Sequence, residues 1–312
     1  MITRHNIPVY DICWLNHADG GTIGTLYEPE NVEELKDICS TLYREGKPFD
    51  LIGHTSNIYF LPDYNVDYMV STRKCTQYTE NESEIVCSCG VSVMKLAHKM
   101  LDEGIKGFEG LIDLPGTVAA SVYGNASCFG CSINSLLISC TLLQPNGEVK
   151  TIKPQDLRLS KRSSALKRKE LEGVILSVTL KKSKGDVKEL SALAEKNRLA
   201  RKTTQAGPKD NLGSIYSMSG GWSYYSIIPR MLTSVYGVLI RLAGKDLETV
   251  KQKKKVFLFS LLGAKDLLPY VFGWNRYIWK EEQSHELFWK FHKIHKKMFK
   301  KSVFEIEIKG KR

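Results

Sequence analysis

Residues 110–130 read GLIDLPGTVAASVYGNASCFG, small side chains around a Pro-Gly pair with Asp113 as the single charge. Gly, Ala, Ser and Thr gather where a main chain must come close to something bulky, either another backbone or an extended ligand. The plainer reading is a tightly packed buried helix, which the stretch alone favours. The sharper reading is a corridor kept open for a ligand.

The flanking sequence supplies strands and helices in irregular alternation. "GTLYEP" reads as a strand, and Asn31 with Glu34 three residues on opens a helix carrying Val32, Leu35, Ile38 and Leu42, with Gly46 as its stop. "FDLIGHTSNIYFL" gives a strand, a polar loop and a second apolar run. "SEIVCSCGVSVMKLAHKMLDEG" predicts a strand to Cys89 and a helix from about Ser92, with Gly104 as the stop. Asn146-Gly147 joins two β-rich runs as a hairpin, and "GVILSVTL" is a further strand. After a polar break at 181–185, "DVKELSALAEKNRLARK" reads as a helix opening a new unit, and Ser226 with Pro229 marks another helix start. With no GxGxxG and no regular βαβ rhythm, an α+β architecture is expected.

A chain of 312 residues exceeds one ordinary core. "MLTSVYGVLI", bounded by Arg230 and Arg241, is half of what a spanning helix needs, and the first residues lack the pattern of a secretion signal. A cytoplasmic protein without integral membrane contact is expected. The eight cysteines lack zinc spacing and read as free, buried, reduced thiols, with a redox or metal role for Cys128 and Cys131 as the sharper alternative. A net charge of +11 gathers in "KQKKK" and "KFHKIHKKMFKK". Such runs could meet nucleic acid, an anionic membrane or a phosphorylated small molecule, but Leu287, Phe291, Ile294 and Met298 at helical spacing favour a solvated basic face over a buried one.

In order, these pieces resemble the UDP-N-acetylenolpyruvoylglucosamine reductase (MurB) family. "ADGGTIGTLYEPENVEEL" is similar to its opening, "LIGHTSN" to its phosphate loop, and "GFEGLIDLPGTVAASVYGNASCFG" to its central signature. "LRLSKRSSALKRKELEGVILSVTL", "TTQAGPKDNLGSIYS" and "VFEIEIKG" continue the likeness, so that it covers about residues 11–218 and the last ten. The resemblance implies an FAD-binding fold of the vanillyl-alcohol-oxidase (PCMH) type made of two α/β subdomains, 1–70 and 71–185. The strand 303–312 would join the first, and a C-terminal α+β substrate domain would fill 186–302.

It further implies FAD held by Gly53, His54, Thr55, Ser56, Asn57, Leu114, Pro115, Gly116, Thr117, Ala120, Ser121, Asn125, Ser127, Gly130 and Val174. NADPH is the implied reductant and a UDP-sugar the substrate. Arg162 matches the arginine that stabilises the enolate, Ser214 the proton donor, and Glu307 the acid that works with the arginine; Glu305, on the same face of a strand, is the competing match. The sequence departs from the family at His54 and Thr55, where glycine is usual, and at Ala119 and Ala120, which replace Gly-Gly. It departs again at 217–219, where Ser-Met-Ser replaces Lys-Asn-Pro, and Trp274 stands near the family's histidine segment. Competing readings are a flavin-binding regulatory protein without turnover and, last, a nucleic-acid binder. The sequence does not fix oligomeric state.

Overall fold

The computed structural model describes residues 1–16, 20–204, 209–217, 225–280 and 284–311. The chain opens on a mixed sheet of order β1-β2-β5-β3. Here β1 (Ile2–Pro8) runs antiparallel to β2 (Thr22–Glu28), while β3 (Asp50–Ile52) and β5 (Asn65–Ser71) run parallel to it, with β4 (Ile58–Phe60) between them in sequence. Parallel neighbours need a crossover, and α1 (Val32–Arg44) supplies it. Its first turn is fixed by Asn31, whose Oδ1 accepts from the Glu34 N–H at 2.9 Å, and Gly46 at φ +62° lets the Lys47 N–H close on the Leu42 carbonyl at 2.9 Å.

The second sheet is antiparallel throughout, in the order β11-β10-β12-β7-β6. It is built from β6 (Tyr78–Glu80), β7 (Glu84–Ser88), α2 (Val93–Asp102), α3 (Val118–Tyr123), the two-residue β8 (Ser127–Cys128) and β9 (Cys131–Ser132), α4 (Ile133–Leu136), β10 (Leu137–Leu143), β11 (Val149–Ile152) and β12 (Val174–Lys181). The central β12 buries Val174, Ile175, Leu176, Val178 and Leu180 because α1 and α3 pack over it. Leu35, Cys39 and Leu42 of α1 enter this core, so the crossover helix of the first sheet fastens it to the second. Burial pushes the Cys39 and Cys87 thiols up to about 12, leaving both protonated at neutral pH. None of the eight cysteines forms a disulfide, but Cys13 and Cys128 are only half-buried, so the expectation of burial holds for the other six.

The remainder comprises α5 (Val187–Thr204), α6 (Ile227–Leu242), α7 (Leu247–Leu261), the short β13 (Val271–Phe272) and β14 (Arg276–Tyr277), α8 (Ser284–Met298) and β15 (Glu307–Lys309). The helix α5 does not open a new core. Its Leu190 and Ala194 bury in the core of the second sheet, and Asn197 donates to the Glu109 carbonyl at 2.9 Å. A separate, strongly aromatic core gathers Tyr59, Tyr216, Tyr277, Trp279, Phe288 and Phe291. The basic run is the outer face of α8: Lys293, Lys296 and Lys297 are exposed while Phe291, Ile294 and Met298 are buried. β15 returns to the first unit and pairs parallel with β4, Glu307 opposite Ile58.

His295 is fully buried in the aromatic core, stacked on Tyr216 with ring centres 3.7 Å apart, its Nδ1 2.7 Å from the Ser302 hydroxyl. Burial, helped by His292, pushes its pKa down to about 3. A depressed pKa means that the unfolded chain takes the proton first, so this contribution is present above about pH 6.5 and is lost as pH falls toward about 3. His295→Phe keeps the stack and removes the titration. Urea unfolding of this variant across that window should show a pH slope shallower than wild type by up to about 1.4 kcal/mol per pH unit; parallel curves would reject the assignment.

Candidate functional site: a cleft between the two sheets

A cleft of about 790 Å³ lies where α1 joins the sheets, lined by the loop at 53–57, Gly116, Thr117, Ala120, Tyr123, the first residues of β12, and Glu307. Its size is that of a cofactor pocket. The loop is turned by Thr55 at φ +56°, whose hydroxyl is buried against the Ile12 carbonyl at 3.1 Å and accepts from the Arg73 guanidinium at 3.1 Å. Arg73 also donates through Nε to the Gly53 carbonyl at 2.8 Å. Held this way, the N–H groups of His54, Thr55, Ser56 and Asn57 have no hydrogen-bond acceptor among the described residues. Four consecutive unpaired amides form a concavity of positive partial charge suited to a phosphate.

On the facing wall, Gly116 stands at φ +139°, and a Cβ there would come to 3.7 Å from the Ser56 hydroxyl. A Cβ on Gly53 would meet the Thr117 Oγ1 at 2.8 Å. The two loops therefore pack glycine backbone against side chain, Gly53 against Thr117 and Gly116 against Ser56. The residues of 110–130 divide accordingly: Val118 and Val122 are packed helix, while Gly116, Thr117, Ala119 and Ala120 line the cleft. The first amides of α3 are already used, Val118 by the Val91 carbonyl at 2.9 Å, Ala119 by Cys89 at 3.2 Å and Ala120 by the Thr117 hydroxyl at 3.3 Å. These three amides, unlike those of the 53–57 loop, are not free to meet an anion.

Of the residues expected to hold cofactor, Gly53, His54, Thr55, Ser56, Asn57, Gly116, Thr117, Ala120 and Val174 line this cleft. Pro115 lines a second cavity of about 710 Å³ behind His54, beside Arg73 and Lys95. Leu114 packs on the main core and Ser121 is buried in α3. Asn125, Ser127 and Gly130 do not line the cleft: Asn125 donates to the Ser160 carbonyl at 2.7 Å, Ser127 lies in β8, and Gly130 makes the β8–β9 turn at φ +83°. The side chains of Ser56 and Asn57 are engaged within the protein, Ser56 donating to the Pro115 carbonyl at 3.1 Å and Asn57 to the Glu305 carbonyl at 3.3 Å. Burial, then Arg73 and Lys95, lowers the His54 pKa, so this ring is neutral and not a phosphate counter-charge.

Arg162 sits at φ +55° at the tip of a tight hairpin closed by Ser160 and Ser163, which Asn125 anchors through Ser160. Its Nε lies 2.8 Å from the Glu305 carboxylate. The acid in contact with the arginine is thus Glu305, the competing match, while Glu307, expected to work with the arginine, lines the cleft. Both share a face of the extended segment, but β15 begins at Glu307, and its pairing with β4 draws Glu307 to the cleft wall, 3.7 Å from Lys167. Glu305 precedes the strand and faces the hairpin. Burial raises the Glu305 pKa against the opposing pull of Arg162, Lys167 and Lys161. Ser214 is brought alongside, because the Glu305 N–H donates to the carbonyl of its neighbour Ile215 at 2.8 Å.

Pattern reading missed Tyr43, Lys47 and Lys169 on the cleft wall, and Arg73 behind the loop. Lys169, at φ +60°, follows the Arg162 segment, but nothing in its spacing marks it. Of the departures from the family, both Ala119 and Ala120 line the cleft. Trp274 lies in the aromatic core against Tyr225 and Phe299. Met218 and Ser219 fall outside the described residues, as do 205–208 of "TTQAGPKDNLGSIYS" and Trp222.

This fold and cleft define an FAD-binding α+β protein, and the FAD binding domain family matches residues 25–153. The UDP-N-acetylenolpyruvoylglucosamine reductase of Prochlorococcus marinus is 30% identical over 200 residues, 63% of this chain and 68% of that one. The enzyme of the same name from Bacillus velezensis is 27% identical over 198 residues, 63% of this chain and 65% of that one. The crystal structure of UDP-N-acetylenolpyruvylglucosamine reductase (MurB) from Thermus caldophilus shares the fold over 98% of this chain and 99% of its own, with a TM-score of 0.67 at 17% identity. The chain belongs to the UDP-N-acetylenolpyruvoylglucosamine reductase family. The aligned segment spans 65% of the Bacillus velezensis relative.

Proposed function

We propose that the protein is an FAD-dependent, NADPH-using reductase of a UDP-sugar, converting UDP-N-acetylenolpyruvoylglucosamine or a related nucleotide sugar to the saturated ether in cell-envelope polysaccharide synthesis. The observation that carries this reading is the Arg162–Glu305 pair, tied through Asn57 directly to the loop of unpaired amides. The 53–57 loop would hold the FAD phosphates, with Gly116, Thr117, Ala120 and Val174 along the rest of the cofactor. When bound, FAD supplies the hydride, having taken it from NADPH.

Hydride addition at one vinyl carbon leaves negative charge on the neighbouring carbon and its carboxylate. The Arg162 guanidinium holds that carboxylate as a planar, permanently charged fork. Glu305, buried beside the guanidinium with its pKa raised by that burial, would help to place Arg162 against the same oxygens. Ser214 delivers the proton to the carbon, a role for a weak acid only in a closed site where the enolate is its neighbour. Lys47, Lys167 and Lys169 offer positive charge along the cleft wall.

The purified protein should be yellow, bleach with NADPH under anaerobic conditions, and regain its colour on addition of the enolpyruvyl UDP-sugar. A colourless protein that takes up no FAD defeats the reading. Flavin reduced by NADPH but never reoxidised by any enolpyruvyl UDP-sugar favours instead a flavin-binding protein without this turnover.

A further inference from the structure

The apolar side chains of α6 do not all face the protein. Pro229, Thr233, Gly237 and Ile240 are buried, and Gly237 lets the Lys254 stem of α7 cross close to the helix. The other face carries Ile227, Ile228, Met231, Val235, Val238, Leu239 and Leu242, all more than half exposed, with Leu242 at 79%. At 100° per residue these side chains form one continuous arc, four turns and about 24 Å long. The helix holds no acidic residue. Arg230 and Arg241 fall together along one edge of the arc, and exposed Lys245 and Lys253 extend the positive charge past its C-terminus. The nearest acids are already engaged, Asp246 capping α7 and Glu248 paired with Lys251 at 3.3 Å.

No helix among the described residues is long and apolar enough to cross a membrane. An apolar arc rimmed by cations is instead the pattern of a helix lying in a bilayer interface, its side chains among the acyl chains and its cations among anionic headgroups. A second copy of the chain would set Arg230, Arg241 and Lys245 against their own kind, whereas anionic lipid complements them. We propose that α6 docks the protein peripherally on an anionic lipid surface, with the apolar arc inserted and the basic rim on the headgroups.

The test is co-sedimentation of the flavin-loaded protein with vesicles of phosphatidylcholine alone and of phosphatidylcholine with about one-third phosphatidylglycerol. The protein should bind the anionic vesicles, and less strongly as salt is raised. The double variant Val235→Glu with Leu239→Glu should lose binding by about tenfold or more with an unchanged flavin spectrum, and Arg241→Glu should weaken it. Wild-type protein that stays in the supernatant with both vesicles overturns the proposal. So does binding that the double substitution leaves intact, or a dimer seen by light scattering that the substitution splits without any effect of lipid.

Discussion

Glu305→Gln should lower turnover by about two to four orders of magnitude, whereas Glu307→Gln should leave it within a few-fold. Glutamine keeps the size of Glu305 and an oxygen for the 2.8 Å contact with Arg162, but its amide carries no negative charge and cannot exchange a proton with a developing enolate. The loss corresponds to about 3–5 kcal/mol of barrier. Glu307 sits on the cleft wall beside Lys167, and its backbone, not its side chain, holds β15 to Asn57 at 2.9 Å. Steady-state kinetics on both variants, with flavin content measured for each, decides between the two acids. Equal losses, or the larger loss at Glu307, would remove Glu305 from the mechanism.

Gly116→Val should yield folded protein with flavin affinity reduced by about tenfold or more. At φ +139° any L-side chain is strained by about 1–3 kcal/mol, and valine methyls would project across the narrow space toward the Ser56 hydroxyl, 3.7 Å from the Cβ position. Gly147→Val separates the two effects. Gly147 also has a positive φ, +85°, but its Cβ would meet nothing within 4 Å, and it belongs to a hairpin that does not line the cleft. That variant should lose stability yet keep its flavin. If absorbance and FAD titration show both variants equally loaded, the corridor between the loops is not where the cofactor lies.

Local signals were legible wherever a residue acts on its own backbone. Asn31 and Ser92 announce their helices because their side chains accept from the N–H three residues on, and Asn146-Gly147 announces its hairpin because Gly147 takes a positive φ at no cost. The likeness of 110–130 to a family signature marked a corridor that forms one wall of the cleft. It did not separate the residues facing that corridor from those packed behind it: Asn125, Ser127 and Gly130 share the signature but serve the Arg162 hairpin or a turn. The strands β1 and β5 escaped notice because it is pairing with other strands that makes them strands, β1 with β2 and β5 between β2 and β3.

The sequence by itself determined the capped helices, the Asn146-Gly147 hairpin and the family, since caps, periodicity and motif order are properties of neighbouring residues. The tertiary structure alone decided that α5 belongs to the second core, that the apolar arc of α6 faces outward, and that Arg162 meets Glu305. Residues 162 and 305 are far apart along the chain, and strand alternation leaves 305 and 307 equivalent. The pairing of β15 with β4 breaks that equivalence by fixing where the strand begins.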